Sequence, residues 1–345
     1  MKRRAFRLLA LLAALGACDT RTGALDPAHG PALRVLSTSP ADGEGADCAR
    51  DDLACGVPLD AEIRIQFNRP LLPASAVRQS IRIYTGTPAN GAPFLTPTYD
   101  VLTRQLRFRL NGRLQSKALY RAELLVAGSP AEPGLRAFDG ALLREGPAPL
   151  SWSFMTSGQL APVPEPAPPA LPEPTCDDIS ALLSTNCASG CCHGADEPPF
   201  GLRLDGKEGL LGTAINHVAR ETETGNAVGV TYVNPARFGV GMPIIAPGAP
   251  ANSYLIYKLL LKPENFGPCV AEACGPFQAL ADDAGCLPLD EAESTRLREW
   301  FVQGEPMPLG WGRGASCENV PVDRHLDCGT LRALTRWIDT GAHCP

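Results

Sequence analysis

Ile63-Arg64-Ile65-Gln66-Phe67-Asn68-Arg69-Pro70-Leu71 carries the reading of the first half of the chain. Ile63, Ile65 and Phe67 fall on one side of an extended backbone, and Glu62, Arg64 and Gln66 on the other, because successive strand side chains alternate faces. The same period of two returns at Ile81/Ile83, at Leu106/Phe108/Leu110 and at Trp152/Phe154. Between these runs lie Thr85-Gly86-Thr87-Pro88-Ala89-Asn90-Gly91 and Asn111-Gly112, residue types that supply the dihedral angles of tight turns. Half-buried strands at this spacing predict an all-β, antiparallel sandwich over residues 31–158. No grouping of His, Ser or carboxylates stands out there, so the expected role is a spacer or adhesion module.

Ahead of this stretch, Lys2, Arg3, Arg4 and Arg7 precede an apolar run from Leu8 to Leu15, which closes on Leu15-Gly16-Ala17-Cys18. The run is too short to cross about 30 Å of hydrocarbon as a helix, and it reads as an export signal over residues 1–17 followed by a tether over 18–30. After the β stretch, residues 159–175 form a linker whose segment 161–174 holds seven prolines. Such a segment favours polyproline II at roughly 3.1 Å per residue, a semi-rigid spacer of about 45 Å. Few contacts are expected to cross it.

The remaining residues, 176–345, carry the unusual chemistry. A helical pattern with Ile179, Leu182 and Leu183 on one face follows Cys176-Asp177-Asp178 and runs into Cys187-Ala188-Ser189-Gly190-Cys191-Cys192-His193-Gly194. Helix, cysteines and then Cys-His is the order in which a c-type haem is attached: two thiols form thioethers with the vinyl groups, and the adjacent His ligates the iron. The usual spacing is C-x-x-C-H, but Ser189 stands where the first cysteine would be. Pairing Cys187 with Cys192 gives C-x4-C-H and leaves Cys191 over, with Cys176 as its candidate partner.

Downstream the chain repeats itself. Leu289-Asp290 precedes Leu297, Trp300 and Gly304, and Leu326-Asp327 precedes Leu334, Trp337 and Gly341. Asp290 suits an N-cap with Glu293 three residues on, and the trailing Gly suits the position after a helix C-cap. Leu and Trp three apart share a face, so both helices are expected to bury an aromatic stripe.

The chain has 345 residues, a formal net charge of −6 and 13 cysteines. Loss of residues 1–17 removes four basic side chains and no acidic one, leaving −10. No basic excess remains for nucleic acid. No Ser-His-Asp set, phosphate loop or nucleotide fingerprint appears, so no enzyme activity is expected. With Cys18 set aside, twelve cysteines remain, an even number that suits disulfides in an exported chain.

Three stretches resemble known families. Leu15-Gly16-Ala17-Cys18 is similar to the bacterial lipobox, which implies acylation of Cys18 and a lipoprotein anchored in the cell envelope, facing the periplasm or the exterior. The opening strand ending in Ser39-Pro40, the Ile63–Leu71 strand and turn, and the closing Phe154-Met155-Thr156 resemble the Ig-like domains of bacterial S-layer proteins. Relative to that pattern Cys48 and Cys55 are an insertion, expected to close a local loop. Cys187-Ala188 through Cys192-His193-Gly194, Gly201-Leu202-Arg203-Leu204-Asp205, Ala246-Pro247-Gly248-Ala249-Pro250, Ser253-Tyr254-Leu255, Lys258-Leu259 and Trp337-Ile338-Asp339-Thr340-Gly341-Ala342 resemble cytochrome-c-like domains of planctomycetes and myxobacteria. That resemblance implies one covalent haem c on Cys187, Cys192 and His193, electron transfer outside the cytoplasm, and an unidentified redox partner protein. Members often place Met-Pro before the last helix, which points to Met307 as sixth iron ligand with Met242 as the alternative. His217, His325 and His343 are weaker candidates, expected at the surface.

Cys269, Cys274, Cys286, Cys317, Cys328 and Cys344 surround the repeat as further disulfide candidates, beside Cys176 and Cys191. Haem would leave eight cysteines in this domain for four disulfides; without haem, ten allow five. The alternative function is therefore a haem-free surface lipoprotein whose second domain is a disulfide-stapled binding scaffold. Zinc on Cys187, Cys191 or Cys192 and His193 is a third reading, disfavoured by an oxidising compartment.

Overall fold

Strand β1 (Leu33–Ser39) pairs antiparallel with β2 (Ile63–Phe67), the strand quoted above, with a register shift between Val35 and Ser37. The alternation of β2 becomes burial as expected: Ile63, Ile65 and Phe67 are fully buried. Further strands are β3 (Ile81–Thr85), β4 (Leu95–Asp100), β5 (Gln105–Leu110), β6 (Leu119–Leu124), β7 (Leu143–Arg144) and β8 (Ser151–Met155). One sheet has the order β4-β5-β2-β1-β7, the other β3-β6-β8. Trp152 and Phe154 of β8, Leu106 and Phe108 of β5, and Leu33 and Val35 of β1 all enter the hydrophobic core.

The antiparallel expectation holds for every strand pair but one. Strand β7 lies parallel to β1, Leu33 opposite Leu143, so the larger sheet is mixed. A long excursion after β6 brings the two-residue β7 back alongside β1 in the same direction, a pairing no hairpin signal encodes.

The computed structural model describes residues 30–49, 51–88, 91, 95–129, 132–163, 171, 173–188, 192–194, 198, 201–218, 242–266, 277, 280, 285–302, 306–308 and 326–345. The expected export signal, Cys18, most of the proline segment, Cys191, Cys269, Cys274, Gly304, Cys317 and His325 lie outside these residues. Among the described residues of the second half are five α-helices: α1 (Cys176–Cys187), α2 (Gly206–Thr213), α3 (Tyr254–Leu260), α4 (Glu291–Trp300) and α5 (Cys328–Asp339). The architecture is thus mixed, a two-sheet β part followed by helices. No described helix is long and apolar enough to cross a membrane.

The repeat reads through to caps. Asp290 and Asp327 accept hydrogen bonds from the backbone N–H of Glu293 and Thr330, and Gly341 follows α5 with φ of +106°, a conformation that favours glycine. Leu297, Leu334 and Trp337 are buried, whereas Trp300 is only half-buried.

The two parts do not stand apart. Arg69, from the turn after β2, is 3% exposed and bonds Asp139 at 2.6 Å and Glu293 of α4 at 2.6 Å. Its guanidinium stacks over Phe138, 5.1 Å from the ring centroid. Phe138 meets Phe301 edge-on, and Phe301 packs on Tyr257 of α3 at 4.5 Å between centroids. Arg332 of α5 bonds Asp100 of β4 at 2.6 Å, and Leu287 N–H donates to Leu102 O at 2.9 Å. The predicted spacing by a stiff linker gives way to docking because both sides offer apolar rings whose burial is favourable, and the charges buried with them are paired.

Three disulfides occur among the described residues: Cys48–Cys55, Cys176–Cys344 and Cys286–Cys328. The first closes the expected local loop. The second replaces the expected Cys176–Cys191 pairing: the start of α1 is stapled to the chain end just past α5, which packs beside it.

Candidate functional site

Helix α1 delivers the Cys187–His193 segment. Its start is fixed by a capping box, in which Thr175 accepts from Asp178 N–H at 3.2 Å and Asp178 accepts from Thr175 N–H at 2.8 Å. The Thr175 hydroxyl, donating to Asp178 Oδ2 at 2.6 Å, and then the Thr175 N–H hold the Asp178 carboxyl below its ordinary range. Ile179 and Leu183 are buried beneath the helix, and Cys187 ends it, also buried.

His193 is held at three atoms. Its N–H donates to Cys187 O at 2.8 Å, closing the loop between them, and its C=O accepts from Leu204 N–H at 2.8 Å. Its ring Nδ1 lies 3.1 Å from Leu202 O. A carbonyl only accepts, so Nδ1 carries the proton and Nε2 keeps its lone pair. Burial pushes the imidazole below its ordinary value; the Leu202 bond works against that, and the charge of Lys258 adds to it. The ring is therefore neutral near pH 7, the form that binds metal.

The segment presenting Leu202 is itself fixed. Thr213 Oγ1 at the end of α2 accepts from Arg203 N–H at 2.8 Å and donates to Arg203 O at 3.0 Å, and Gly206 N–H donates to Ser184 Oγ of α1 at 3.2 Å. Cys187 and Cys192 are both thiols, the first buried and the second half-buried. The His193 imidazole has its other nitrogen committed to a backbone carbonyl, the usual support of a metal-binding His, while the C-x4-C-H spacing departs from the C-x-x-C-H usual for covalent haem.

The candidate sixth ligands fall in two places. Met307 is half-buried against the core; its N–H donates to Lys258 O at 3.2 Å, and its C=O accepts from Asn265 Nδ2 at 3.0 Å. Lys258 is a buried residue of α3, and its charge acts on His193. Met242 also packs half-buried on the core, and the Pro243 carbonyl beside it accepts from Tyr254 N–H at 2.8 Å. His217 and His343 are exposed. The zinc reading draws on Cys191, outside the described residues; among those described, no three His, Cys, Asp or Glu side chains converge.

Sequence reasoning missed Leu202 O and Asn265. A carbonyl acceptor has no residue-type signature, and a single Asn in Pro263-Glu264-Asn265-Phe266 reads as an ordinary turn residue. Lys258 was visible only as part of the family pattern.

No protein-family model matches the chain, and no curated protein does. Solved structures similar to part of it include pieces of the bacterial S-layer protein SbsC. Its N-terminal part is 15% identical over 37% of this chain and 24% of that one, with a TM-score of 0.23. The S-layer protein rSbsC(31-844) is 12% identical over 39% of this chain and 14% of that one, also at 0.23, and SbsC domains 1–6 are 12% identical over 37% and 14%, at 0.24. The chain therefore spans about a quarter or less of the length of these structures.

Proposed function

We propose that this chain is a lipid-anchored, extracytoplasmic monohaem c-type electron-transfer module, with an Ig-like β-domain carrying a cytochrome-c-like helical domain. The observation that carries the reading is the fixing of His193: Nδ1 on the Leu202 carbonyl, backbone bonds on both sides, and two thiols at Cys187 and Cys192. In this reading Cys187 and Cys192 would hold haem c through thioethers, His193 Nε2 would ligate its iron, and Met307, with Met242 as the alternative, would be the second iron ligand. Haem c supplies one-electron transfer at a potential set by ligands and burial. The chain's own work is to fix the His193 tautomer and bury the site. Lipid on Cys18 holds the module at the envelope, where an unidentified redox protein is its partner; two or more acyl chains at about 0.8 kcal/mol per CH2 anchor it durably.

Expression with c-type maturation machinery, followed by a pyridine haemochrome spectrum of denatured protein, tests this. A covalent haem c signal at one haem per chain is expected. A colourless, fully matured protein sinks it.

A haem-free, disulfide-stapled binding scaffold is the second reading, and the three disulfides among the described residues favour it. Mass-spectrometric mapping separates the two, since a disulfide from Cys187 to Cys191 or Cys192 excludes thioethers at that sulfur.

A further inference from the structure

Strand β8 ends the smaller sheet, with β6 as its strand neighbour on one side only. Such an edge leaves the N–H and C=O of every second residue without a ladder partner and is a template for another strand. Here the chain fills the edge itself. Gly43 N–H donates to Ser153 O at 2.8 Å, Met155 N–H donates to Glu44 O at 2.8 Å, and Val57 N–H donates to Met155 O at 2.9 Å. Ser157 N–H donates to Val57 O at 2.7 Å, and Ser153 N–H donates to Asp42 Oδ1 at 3.0 Å. The edge N–H groups of Ser153, Met155 and Ser157 are therefore all taken, by two short limbs that bridge β8 and its end in parallel at Glu44 and Val57.

The limbs are the two ends of the loop that Cys48–Cys55 closes. A Cβ at Gly45 would fall 2.7 Å from Met155 O and 2.9 Å from the Gly56 Cα, and one at Gly56 would fall 2.9 Å from Met155 O. Both positions need glycine for the backbone to come this close to the strand. Val57 anchors one limb in the core, and Lys117, ahead of β6, donates to the Asp52 carbonyl and, at 3.3 Å, to that of Cys55. Outward the loop exposes Asp47 and Asp51. Strand β8 itself, Ser151-Trp152-Ser153-Phe154-Met155, carries neither charge nor proline, the devices by which a strand blunts its own edge. Strand β4, an edge of the other sheet, does carry one, Pro97.

We propose that the Cys48–Cys55 loop is an edge guard, a surrogate strand that keeps β8 from pairing with β8 of a second copy of this chain. A second copy is the partner that fits, because an uncharged strand meets its own antiparallel copy about a two-fold axis without charge conflict. The loop withholds the backbone groups that pair would use and sets the Asp47 and Asp51 carboxylates in its path. The assignment goes beyond the haem reading and does not depend on it.

Sedimentation velocity of the full chain at rising concentration tests it. Gly45→Val with Gly56→Val drives both limbs off Met155 O without altering β8, and this variant is expected to sediment at about twice the wild-type mass. Adding Ser153→Pro deletes an edge N–H that Asp42 takes in the wild type, and is expected to restore the wild-type mass. Should the valine variant fail to fold, Cys48→Ser with Cys55→Ser frees the loop without added bulk and is expected to associate in the same way at higher concentration. A folded variant that keeps the wild-type mass overturns the guard, as does an association that survives Ser153→Pro. Wild-type association that Ser153→Pro abolishes overturns it too, since the edge is then open with the loop in place.

Discussion

Arg69 and Glu293 meet at 2.6 Å across the junction between the β part and the helices, with side-chain exposures of only 3% and 7%. Asp139 closes the set from the β side at 2.6 Å. Burial opposes the Arg69 charge, but the two carboxylates more than offset it and raise its pKa further above the ordinary value. Arg69 is therefore a buried, doubly paired charge that locks the β half to the helical half.

The lock predicts an order of destabilisation. Arg69→Met strands the buried Asp139 carboxylate, leaves Glu293 with Arg296, and costs about 3–5 kcal/mol, the range for breaking a buried ion pair from one side. Glu293→Ala leaves Arg69 with Asp139 and costs less, about 1.5–3 kcal/mol, as for a hydrogen bond to a charged group. Urea unfolding followed by both circular dichroism and tryptophan fluorescence, with an unchanged slope, measures this. Equal effects of the two variants, or separate transitions for the two halves in the wild type, contradict a shared lock.

The disulfides give a second comparison. Cys176–Cys344 spans a sequence separation of 168 and Cys48–Cys55 only 7. By chain entropy the longer loop stabilises by roughly 3 kcal/mol more. Cys176→Ala with Cys344→Ala is expected to lower the denaturation midpoint well below that of Cys48→Ala with Cys55→Ala. Matching midpoints would show that local strain, not loop length, sets these contributions.

Local periodicity made β2, β5 and β8 legible, because residues 63, 65 and 67 decide their own burial once one face is covered. Asp290 and Asp327 were legible as caps for the same local reason. What stayed hidden was decided at long range. Asn68-Arg69-Pro70 reads as a surface turn, yet a carboxylate 224 residues away buries it. Glu293 sits at a capping-box position but spends its carboxylate on Arg69 and Arg296 instead. Cys176 looked toward the nearer Cys191, while the packing of α1 against α5 brought it Cys344. In the candidate site the Cys-His order was readable; the carbonyl that orients His193 was not.

Acid should loosen the helix that leads to the site. Asp178 has a depressed pKa because it is hydrogen-bonded by Thr175. Its contribution is present above the ordinary carboxylate pKa and is lost as pH falls through the depressed folded value. Thr175→Ala removes the cap, costs about 0.5–2 kcal/mol near neutral pH and flattens this acid dependence. Circular dichroism melts from pH 7 down to acid check it; a variant that keeps the wild-type acid slope rules Asp178 out as its source.

The decisive substitutions lie within six residues of each other. If Cys187 and Cys192 carry the thioethers, Cys191→Ser keeps both bonds, so the matured protein retains the wild-type haemochrome band and an intact mass with haem attached. Cys187→Ser or Cys192→Ser leaves one thioether and one unreacted vinyl, which extends conjugation and moves the haemochrome band to longer wavelength. The buried end of α1 makes Cys187→Ser the more damaging to haem yield, since the first sulfur is set by the helix and the second by the loop that His193 closes onto Cys187 O. A single-thioether spectrum from Cys191→Ser would instead move the attachment to Cys191 and overturn the C-x4-C-H assignment while leaving haem in place.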